Sequence, residues 1–188
     1  AALTVAVDRQ GVAWVGYARH GIGRISLAGD GTPFDVGLPP GSEISALGFD
    51  VRDGMWIATR HSLYRWQNKK LEEFPRMKSV RAIFRDRNGT MWFGTQTAGI
   101  TSMKDGVFTG YTMPDGNNTG LFFAENPAGD VITGNRSALY KVAGRHLVEI
   151  PGLPDKRVRA VHFDLDGNMW ISTRDLGLAV FNGGRWFI

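Results

Sequence analysis

Apolar and polar positions recur in the same order five times along the 188-residue chain. Each copy carries an Asp or Asn, here called the anchor, followed six residues later by a Trp or Ile. The five pairs are Asp8 and Trp14, Asp50 and Trp56, Asp86 and Trp92, Asn126 and Ile132, and Asp164 and Trp170. Successive anchors are separated by 42, 36, 40 and 38 residues, so the chain is a repeat protein.

The positions around each anchor also repeat. An apolar residue lies three positions before the anchor: Val5, Leu47, Ile83, Phe123 and Val161. A small residue lies two positions after the Trp or Ile: Gly16, Ala58, Gly94, Gly134 and Ser172. An apolar residue lies eight positions after it: Ile22, Tyr64, Ile100, Tyr140 and Leu178. Short apolar segments separated by Gly-containing turns predict about four strands per copy, and no segment has a helical period.

Four antiparallel strands at a period of about 40 residues are typical of a β-propeller blade. A single such sheet buries neither face by itself, so neighbouring sheets must stack. In this arrangement the small residue allows close approach and the Trp fills the space between sheets. The sequence therefore predicts an all-β propeller region over 1–188, with blades at about 1–41, 42–78, 79–117, 118–156 and 157–188.

Composition agrees with a packed β-protein. Hydrophobic residues make up 43% of the chain, and its 25 glycines suit tight turns between short strands. The absence of cysteine excludes disulfides and zinc–thiolate sites. No apolar run approaches the roughly 20 residues of a membrane span, and the first residues do not resemble a signal peptide. We therefore expect any targeting segment to lie outside this sequence.

The repeats resemble the two-component-regulator propeller family, whose core reads roughly D-x-x-G-x-x-W-x-G-T-x-x-x-G-L. "DRNGTMWFGTQTAGI" at 86–100 follows this core, and "DLDGNMWISTRDLGL" at 164–178 departs mainly by having Ser172 in place of Gly. The fourth copy is degenerate, and the second shifts its Gly to Gly54 and has Leu63 in place of the later Gly. The resemblance implies a periplasmic sensor domain of a bacterial histidine kinase, hybrid regulator or diguanylate cyclase. It also implies more than five blades, so we expect part of a larger propeller, with a closed ring of five blades as the alternative.

A second resemblance is to the streptogramin (virginiamycin B) lyases. "HGIGRISLAGDGTPFDVGLP" at 20–39 is similar to a phrase of those propellers, which are enzymes with catalytic histidines and a divalent metal. Four histidines are present, but they do not match a catalytic cluster: His20, His61, His146 and His162. This enzyme is the alternative interpretation. The leading one has no catalytic residue, metal or cofactor.

The anchor carboxylates have two interpretations. "DLDGN" at 164–168 looks superficially like a calcium loop, but its Gly167 comes fourth, whereas an EF-hand places its Gly sixth and adds a distant Glu. Sister copies also carry Gln10 or Arg52 at the position of Asp166. Because Asp side chains accept backbone N–H bonds in tight turns, the turn interpretation is favoured.

Cations concentrate on one predicted face, where the loops after the second strands meet the loops between blades. Ten residues are assigned there: Arg19, Arg60, Arg76, Lys78, Arg81, Arg136, Lys156, Arg157, Arg159 and Arg174. Four acids oppose them: Glu43, Asp115, Asp155 and Asp175. The difference of ten and four is larger than the net charge of +4 for the whole chain. A face of one sign attracts anions, although a solvated charged surface is the simpler interpretation.

The predicted ligand-binding residues are Arg60, Gln96, Arg136 and Arg174, with Arg81 and Arg159 beside them. We expect the first four to lie at one end of the propeller, where guanidinium groups could bind an anionic small molecule or carbohydrate. Nucleic acid is not favoured, since most aromatic residues occupy packing positions. The expected partners are the remaining blades or signalling domains of a parent receptor, or another copy of the chain.

Overall fold

The computed structural model describes residues 2–18, 21–25, 31–155 and 157–188. Within these ranges the chain forms twenty strands and no helix, as the sequence predicts. Three residues of the sequence-based hypotheses lie outside the described ranges: Arg19, His20 and Lys156. Among the described residues, no helix has the length and apolar character needed to cross a membrane.

The strands form five antiparallel sheets of four, and each sheet uses four consecutive strands. The first contains β1 (Ala2–Val7), β2 (Ala13–Tyr17), β3 (Ile22–Ile25) and β4 (Gly31–Phe34). The second contains β5 (Ile44–Phe49), β6 (Met55–Thr59), β7 (Leu63–Gln67) and β8 (Lys70–Phe74). The third contains β9 (Val80–Arg85), β10 (Met91–Thr95), β11 (Ile100–Lys104) and β12 (Val107–Tyr111). The fourth contains β13 (Phe122–Glu125), β14 (Val131–Gly134), β15 (Leu139–Ala143) and β16 (His146–Glu149). The fifth contains β17 (Val158–Phe163), β18 (Met169–Thr173), β19 (Leu178–Asn182) and β20 (Arg185–Phe187).

The chain divides into two compact units, the first ending at Phe93 and the second beginning at Gly94. In the first unit, aromatic side chains fill the space between sheets. The Trp14 ring meets Phe34 edge-on at 4.8 Å between centroids and lies 6.1 Å from Phe49 of the second sheet. The Trp56 ring lies 5.0 Å from that of Phe93. These contacts agree with the predicted role of the Trp residues as packing groups.

The core of the second unit joins its fourth and fifth sheets. Ile132 and Leu139 of the fourth sheet belong to the same buried cluster as Val161 and Ile171 of the fifth. Ile132 occupies the Trp position of the degenerate repeat and is 3% exposed. An aliphatic side chain therefore takes over the packing role of the missing indole.

The small residues allow sheets to approach closely, as predicted. A Cβ built on Gly16 would lie 2.5 Å from Cγ2 of Ile44 in the second sheet. In the second unit, a Cβ on Gly94 would lie 2.5 Å from the carbonyl oxygen of Gly120. The backbone cannot move aside as a flexible side chain can. A larger residue at Gly94 would therefore displace the segment around Gly120, which leads into the fourth sheet.

The residue opposite the small position differs between repeats. In the first and fifth sheets it is the apolar residue eight positions after the Trp, since Gly16 pairs with Ile22 and Ser172 pairs with Leu178. In the second and fourth sheets the turn is one residue shorter. The small residue there pairs with Leu63 or Leu139, not with Tyr64 or Tyr140.

Each anchor Asp closes its turn and also holds the Trp six residues later. In the fifth sheet, Oδ1 of Asp164 accepts the backbone N–H groups of Asp166 and Asn168, at 3.1 and 2.8 Å. Its Oδ2 accepts the indole N–H of Trp170 at 2.8 Å. The same indole bond occurs in three other sheets, at 2.9 Å from Trp14 to Asp8, 3.1 Å from Trp56 to Asp50 and 2.9 Å from Trp92 to Asp86. The turn interpretation of these carboxylates is therefore confirmed.

The fourth repeat replaces both members of this pair. Asn126 stands at the anchor, where its Oδ1 accepts the N–H of Asp130 at 2.8 Å. Its amide nitrogen donates to Oδ2 of Asp130 at 3.0 Å, and Lys141 contacts the same oxygen at 2.8 Å. With no indole N–H at Ile132, the anchor needs no second acceptor oxygen. An amide therefore serves where the other repeats use a carboxylate.

The shifted glycine of the second repeat also has a physical reason. Asp53 adopts a φ of +58° at the place where other repeats have glycine. Gly54 follows, and a Cβ there would lie 2.6 Å from Oδ2 of Asp50 and 2.8 Å from Nε of Arg65. The glycine thus leaves room for the ion pair between Arg65 and Asp50, whose Nη2–Oδ2 distance is 2.6 Å. Arg65 also lies over the Trp56 ring at 5.7 Å.

The Trp residues differ in burial, which predicts different costs of truncation. Trp92 is 5% exposed, whereas Trp170 is less completely buried. We expect Trp92→Ala to lower the free energy of unfolding by about 3–5 kcal/mol. Trp170→Ala should cost clearly less, and urea denaturation of both variants checks this order. Equal losses of stability in the two variants would mean that the exposed fraction of the Trp side chain does not determine how much it stabilises the fold.

The lowered pKa of the Asp164 carboxylate predicts a loss of stability in acid. Hydrogen bonds from Trp170 and Asn168 lower the pKa of Asp164 to about 2 from its ordinary 3.8. A lowered pKa contributes stability that is present above the ordinary value and is lost as the pH falls through the folded value. Unfolding midpoints in urea should therefore decrease between pH 3.8 and about 2. Asp164→Asn should weaken this decrease, while Asp166→Asn, the exposed neighbour, should leave it unchanged.

Candidate functional site

Four predicted ligand residues occupy equivalent places in their sheets. Arg60, Gln96, Arg136 and Arg174 each directly follow the last residue of the second strand or the residue after it. All four side chains are exposed. Each begins the turn that leads to the third strand, so they share one end of their own sheets. The repeat therefore places a variable side chain at the same end each time.

The same pattern of hydrogen bonds recurs in three of these turns. Oγ1 of Thr59 donates to the carbonyl oxygen of Ser62 at 3.0 Å, and Thr95 bonds Gly99 in the same way at 3.0 Å. Thr173 repeats the contact at 3.3 Å. The hydroxyl also accepts backbone N–H groups inside the turn, at 2.8 Å from Ala98 in the third sheet. The Thr therefore satisfies the turn from inside, and the residue that follows it is exposed.

The fourth turn uses Asn135 in place of Thr. Its Oδ1 accepts the N–H groups of Ser137 and Ala138 at 2.8 and 3.0 Å, as an Asx turn does. Its Nδ2 reaches further and donates to Oδ2 of Asp115 at 2.9 Å and to the carbonyl of Asn117 at 3.3 Å. The Asn135 side chain is fully buried. It therefore fixes the loop that connects the third and fourth sheets against the fourth-sheet turn.

In the second unit, hydrogen bonds join these turns to the incoming loops at one edge. Oγ1 of Thr119 donates to the carbonyl of Gln96 at 2.9 Å. The N–H of Val158 donates to the carbonyl of Arg136 at 3.2 Å. Arg174 donates its N–H to Arg157 at 3.0 Å. Together with Asn135, these bonds bring the backbones at Gln96, Arg136 and Arg174 into one connected edge.

Arg159 lies next to this edge on an irregular strand. Val158 pairs with Thr173 and Ala160 pairs with Ser172, so the register of β17 shifts at Arg159. The same irregularity occurs at Ser45 in β5. A bulged residue is left out of the ladder, and bulges commonly turn a side chain toward a site. Arg159 is exposed, as a bulge at this position allows.

Carboxylates at this edge already have partners. Asp115 accepts the amide of Asn135, and Asp175 forms an ion pair with Arg157. Asp155 accepts the N–H groups of Arg157 and Asp175 at 3.1 and 3.4 Å. Burial acts to raise the pKa of Asp155, but these backbone bonds outweigh it and lower the pKa. Asp155 is therefore ionised at neutral pH, and all three acids are used in holding the loops together.

Within the part of the chain that the structure describes, Arg136, Arg159 and Arg174 have no such partner. Among the described residues, no ion pair joins Arg136, Arg159 or Arg174 to a carboxylate. Each therefore keeps its guanidinium donors available to solvent or to a ligand. The edge carries an excess of positive charge even without Lys156.

Arg60 and Arg81 belong to the first unit. Arg60 lies in the turn that Thr59 closes, and Arg81 is the second residue of β9, as Arg159 is of β17. Both are exposed. The strand end before Arg81 is held from the second sheet, because Oγ of Ser45 donates to the carbonyl of Val80 at 2.7 Å. Whether these two residues act with the three arginines of the second unit stays a prediction.

Tyr140 is a fully buried side chain below the fourth-sheet turn. Burial first, and then the nearby Asp115 carboxylate, raise the pKa of its hydroxyl to about 12. The phenol is therefore neutral throughout the physiological range. It acts as packing with a polar end directed toward the loop that Asn135 holds.

The described histidines lie on separate sheets. His61 follows Arg60 in the second sheet, His146 begins β16, and His162 lies in β17, all exposed. Within the described ranges, no group of three or more His, Cys, Asp or Glu side chains is placed to hold a metal ion. His162 pairs across the strands with Trp170. Its side chain thus lies on a sheet face rather than in a cluster of ligands.

A cavity that the sequence did not indicate lies in the first unit. It has a volume of about 120 Å³, and its lining includes Ile22, Phe34 and Val36 together with the polar residues Asp35 and Ser42. The segment "GLPPGS" at 37–42 forms much of its wall. Two prolines in a row are a loop signal and predict no cavity, so the repeat pattern had no means of identifying it.

Comparison with known families gives one match. Residues 75–97, which contain the anchor Asp86 and Trp92, match the two component regulator propeller. No curated protein matches the chain. The match covers the repeat that follows the family core most fully, and it supports the family resemblance of the repeat itself.

Solved structures show the fold. Virginiamycin B lyase from Staphylococcus aureus is 16% identical, with a TM-score of 0.81 over 99% of this chain and 68% of its own. The extracellular domain of a putative one component system from B. thetaiotaomicron is 22% identical, with a TM-score of 0.78 over 97% of this chain and 27% of its own. A corresponding domain of a putative hybrid two component system from that organism is 19% identical, with a TM-score of 0.75 over 99% and 29%. The fold is thus a β-propeller fold, and the chain spans under a third of the length of the two receptor domains.

The buried Asn135 predicts a local structural role that can be measured. Asn135→Ala removes two hydrogen bonds to the 115–117 loop and leaves Asp115 without its amide donor. We expect a loss of about 1–3 kcal/mol in stability, since an unsatisfied buried polar group has roughly that cost. Hydrogen exchange should rise selectively in residues 113–119. Ser137→Ala, an exposed change in the same turn, is the control and should leave exchange in that loop unaltered.

Proposed function

We propose that this chain is a non-catalytic, ligand-sensing or interaction propeller from the extracytoplasmic part of a bacterial signalling receptor. The family match at 75–97 and the likeness to extracellular domains of one-component and two-component systems support this proposal. Because those domains are several times longer than this chain, it would act with further blades and with signalling domains of a parent receptor. A periplasmic location and a histidine kinase or diguanylate cyclase output belong to the same proposal.

One observation carries the ligand part of the proposal. Arg136, Arg159 and Arg174 are exposed cations near one hydrogen-bonded edge of the second unit, where the acids are used in loop contacts. A guanidinium is always charged and offers two parallel donors to a carboxylate, sulfate or phosphate. The edge therefore suits an anionic small molecule or an acidic carbohydrate.

The turns also suit the purpose of a sensor. Each side chain projects from a turn that Thr or Asn closes internally, so its backbone is held while its head group remains in solvent. Such preorganisation lowers the ordering cost of binding. Gln96 adds an amide at the equivalent place of the third sheet, and such a group donates to a sugar hydroxyl as well as accepting from it. The combination of charge and amide fits an acidic sugar better than a simple ion.

Binding can be tested with defined probes. We expect digalacturonate and sulfate to raise the unfolding temperature of the chain, and the effect to weaken as salt concentration increases, because screening reduces exposed charge interactions. The double variant Arg136→Gln, Arg174→Gln should lose most of the shift. Arg145→Gln, an exposed arginine at the β15–β16 turn, is the matched control and should keep it. Calorimetric titration with the same probes gives the affinity directly.

Two results would contradict the ligand part. An equal shift in the double variant and in wild type would mean that the probes act on another surface. No shift with any acidic sugar or organic anion at low salt would favour a simple solvated charged face. In that event the proposal would be limited to a receptor propeller that binds other protein segments and has no small-molecule ligand at this edge.

The lyase likeness supports a second candidate, since three streptogramin lyase structures match at least 96% of this chain. One of those structures contains quinupristin bound to the S. aureus enzyme. Incubating this chain with quinupristin and a divalent metal tests the candidate by mass spectrometry. Metal-dependent opening of the quinupristin ring would contradict the sensor proposal. Recovery of unchanged quinupristin would favour the sensor proposal over the lyase.

A further inference from the structure

The third sheet ends at β12, which forms one of its edges and pairs with β11. The turn between the two strands consists of Asp105 and Gly106, whose φ angles are +50° and +81°, as in a two-residue type I′ hairpin. In such a hairpin the flanking residues, Lys104 and Val107, exchange both backbone hydrogen bonds. Because bonded and non-bonded pairs alternate along the strand, the N–H and C=O of Gly110 point away from β11. The outer side of β12 therefore presents backbone groups that a further strand can bond.

The residues of β12 do not protect this edge, whereas those of the other fourth strands do. An exposed strand edge recruits other strands, and proteins commonly block it with Pro or with charged side chains. The blocking residues are Pro33 in β4, Lys70, Glu72 and Glu73 in β8, Glu149 in β16 and Arg185 in β20. The sequence of β12 is VFTGY, which contains neither kind of residue. Its edge is thus the least protected of the five.

Gly110 is not required by packing within one chain. Its φ lies outside the left-handed region, and a Cβ built on it would meet no atom within 4 Å. Gly94 in the same sheet is different, since its Cβ would lie 2.5 Å from the carbonyl oxygen of Gly120. A glycine inside a strand weakens it and often marks a place where another backbone or a ligand approaches closely. The open space over Gly110 is therefore available to a group from outside the chain.

We propose that β12 pairs with β12 of a second copy, antiparallel, about a two-fold axis at Thr109. In this register Gly110 faces the partner's Phe108, and the two residues exchange their backbone N–H and C=O groups. Thr109 faces the partner's Thr109, and Val107 faces the partner's Tyr111. The two third sheets thereby join into one sheet of eight strands, twice the four that each copy contributes.

The side chain that fills the space over Gly110 comes from β12 itself. Phe108 lies two residues from Gly110, on the same side of the sheet, and is 39% exposed. Facing residues of an antiparallel pair also share one side of the sheet, so each Phe108 ring lies over the Gly110 of the other copy. An aromatic ring across from an edge glycine stabilises strand pairing. The strand is therefore complementary to itself.

The other side chains favour the same register. Threonine opposite threonine, and an aromatic residue opposite a β-branched one, are stabilising cross-strand pairs. Registers centred on Phe108 or on Gly110 would instead place Gly110 opposite a second glycine and leave its space empty. Because β12 has no charged residue, two identical strands bring no like charges into opposition. The nearest charged residues along the chain, Lys104 and Asp105, lie beyond the last pair.

The contact is separate from the blade stacking and the ligand site of the proposed function. Further blades of a parent propeller would stack on the faces of sheets, whereas this contact uses the edge of an internal sheet. It contains none of the residues proposed to bind a ligand. Since both copies use the same surface, the contact closes at two copies and gives a dimer, not a filament.

A charge placed over Gly110 tests the contact. Light scattering after size exclusion should give wild type the mass of two chains at high concentration and of one chain on dilution. Gly110→Glu should be monomeric throughout, and it should fold because the added side chain meets open space. Val148→Glu, on the fourth strand β16 and 54% exposed, is the matched control and should remain dimeric. Circular dichroism checks the fold of both variants.

A cysteine on the axis tests the register. The chain has no cysteine, and residues at a non-bonded pair have Cα atoms about 4.5 Å apart, within the range of a disulfide. Thr109→Cys should therefore form a disulfide-linked dimer with oxidised glutathione, and Val148→Cys should not at the same concentration.

Three results would overturn the proposal. The first is a wild type that stays monomeric at high concentration, which would leave an extended peptide of another protein as the candidate for this edge. The second is a Gly110→Glu variant with the same mass as wild type, since association would then use another surface. The third is a Thr109→Cys variant that is cross-linked no faster than Val148→Cys.

Discussion

The bond between an anchor carboxylate and an indole N–H is the interaction on which the rest of this structure depends. One oxygen of the Asp closes the turn between the first two strands of a sheet, and the other fixes the Trp on the next strand. A turn is thereby tied to the packing between sheets. In the second repeat, burial acts to raise the pKa of Asp50, but the N–H of Gly54 and the Arg65 guanidinium outweigh it and lower the pKa. The carboxylate is therefore held charged at neutral pH while nearly buried, and its partners are obligatory rather than optional.

Much of the fold follows from the sequence because this interaction has a fixed spacing. The six-residue separation of anchor and Trp, and the small residue beyond, predict the strands and the close sheet contacts at Gly16 and Gly94. The exact cross-strand pairing does not follow from the spacing, because the turn is one residue shorter in the second and fourth sheets. The lower burial of Trp170 than of the other Trp residues does not follow from the sequence either, since a pattern within one repeat does not show how fully the side chain is covered.

The candidate site is less accessible to sequence reasoning. The repeat frame correctly assigns Arg136 and Arg174 to equivalent turns, because position within a repeat fixes position within a sheet. Which acids neutralise them depends on loops that do not repeat, and Asp115, Asp155 and Asp175 are all used there in contacts that no spacing predicts. The bulge at Arg159 and the reach of Asn135 likewise arise from local geometry. A count of charged residues from the sequence therefore gives the net charge of the edge, whereas the structure shows which of those residues already bond to other protein groups.

The degenerate fourth repeat has a consequence for how such chains change over time. There the carboxylate and the indole are absent together, and Asn126 instead bonds Asp130, whose carboxylate Lys141 also contacts. Loss of the Trp alone would leave a carboxylate oxygen without its donor, and loss of the Asp alone would leave an indole N–H without its acceptor. Both singly substituted proteins would be less stable, so we expect the two positions to be substituted together. A sequence pattern defined by the Asp and the Trp would then no longer detect such a repeat. Its four strands and its contribution to the core would nevertheless be unchanged.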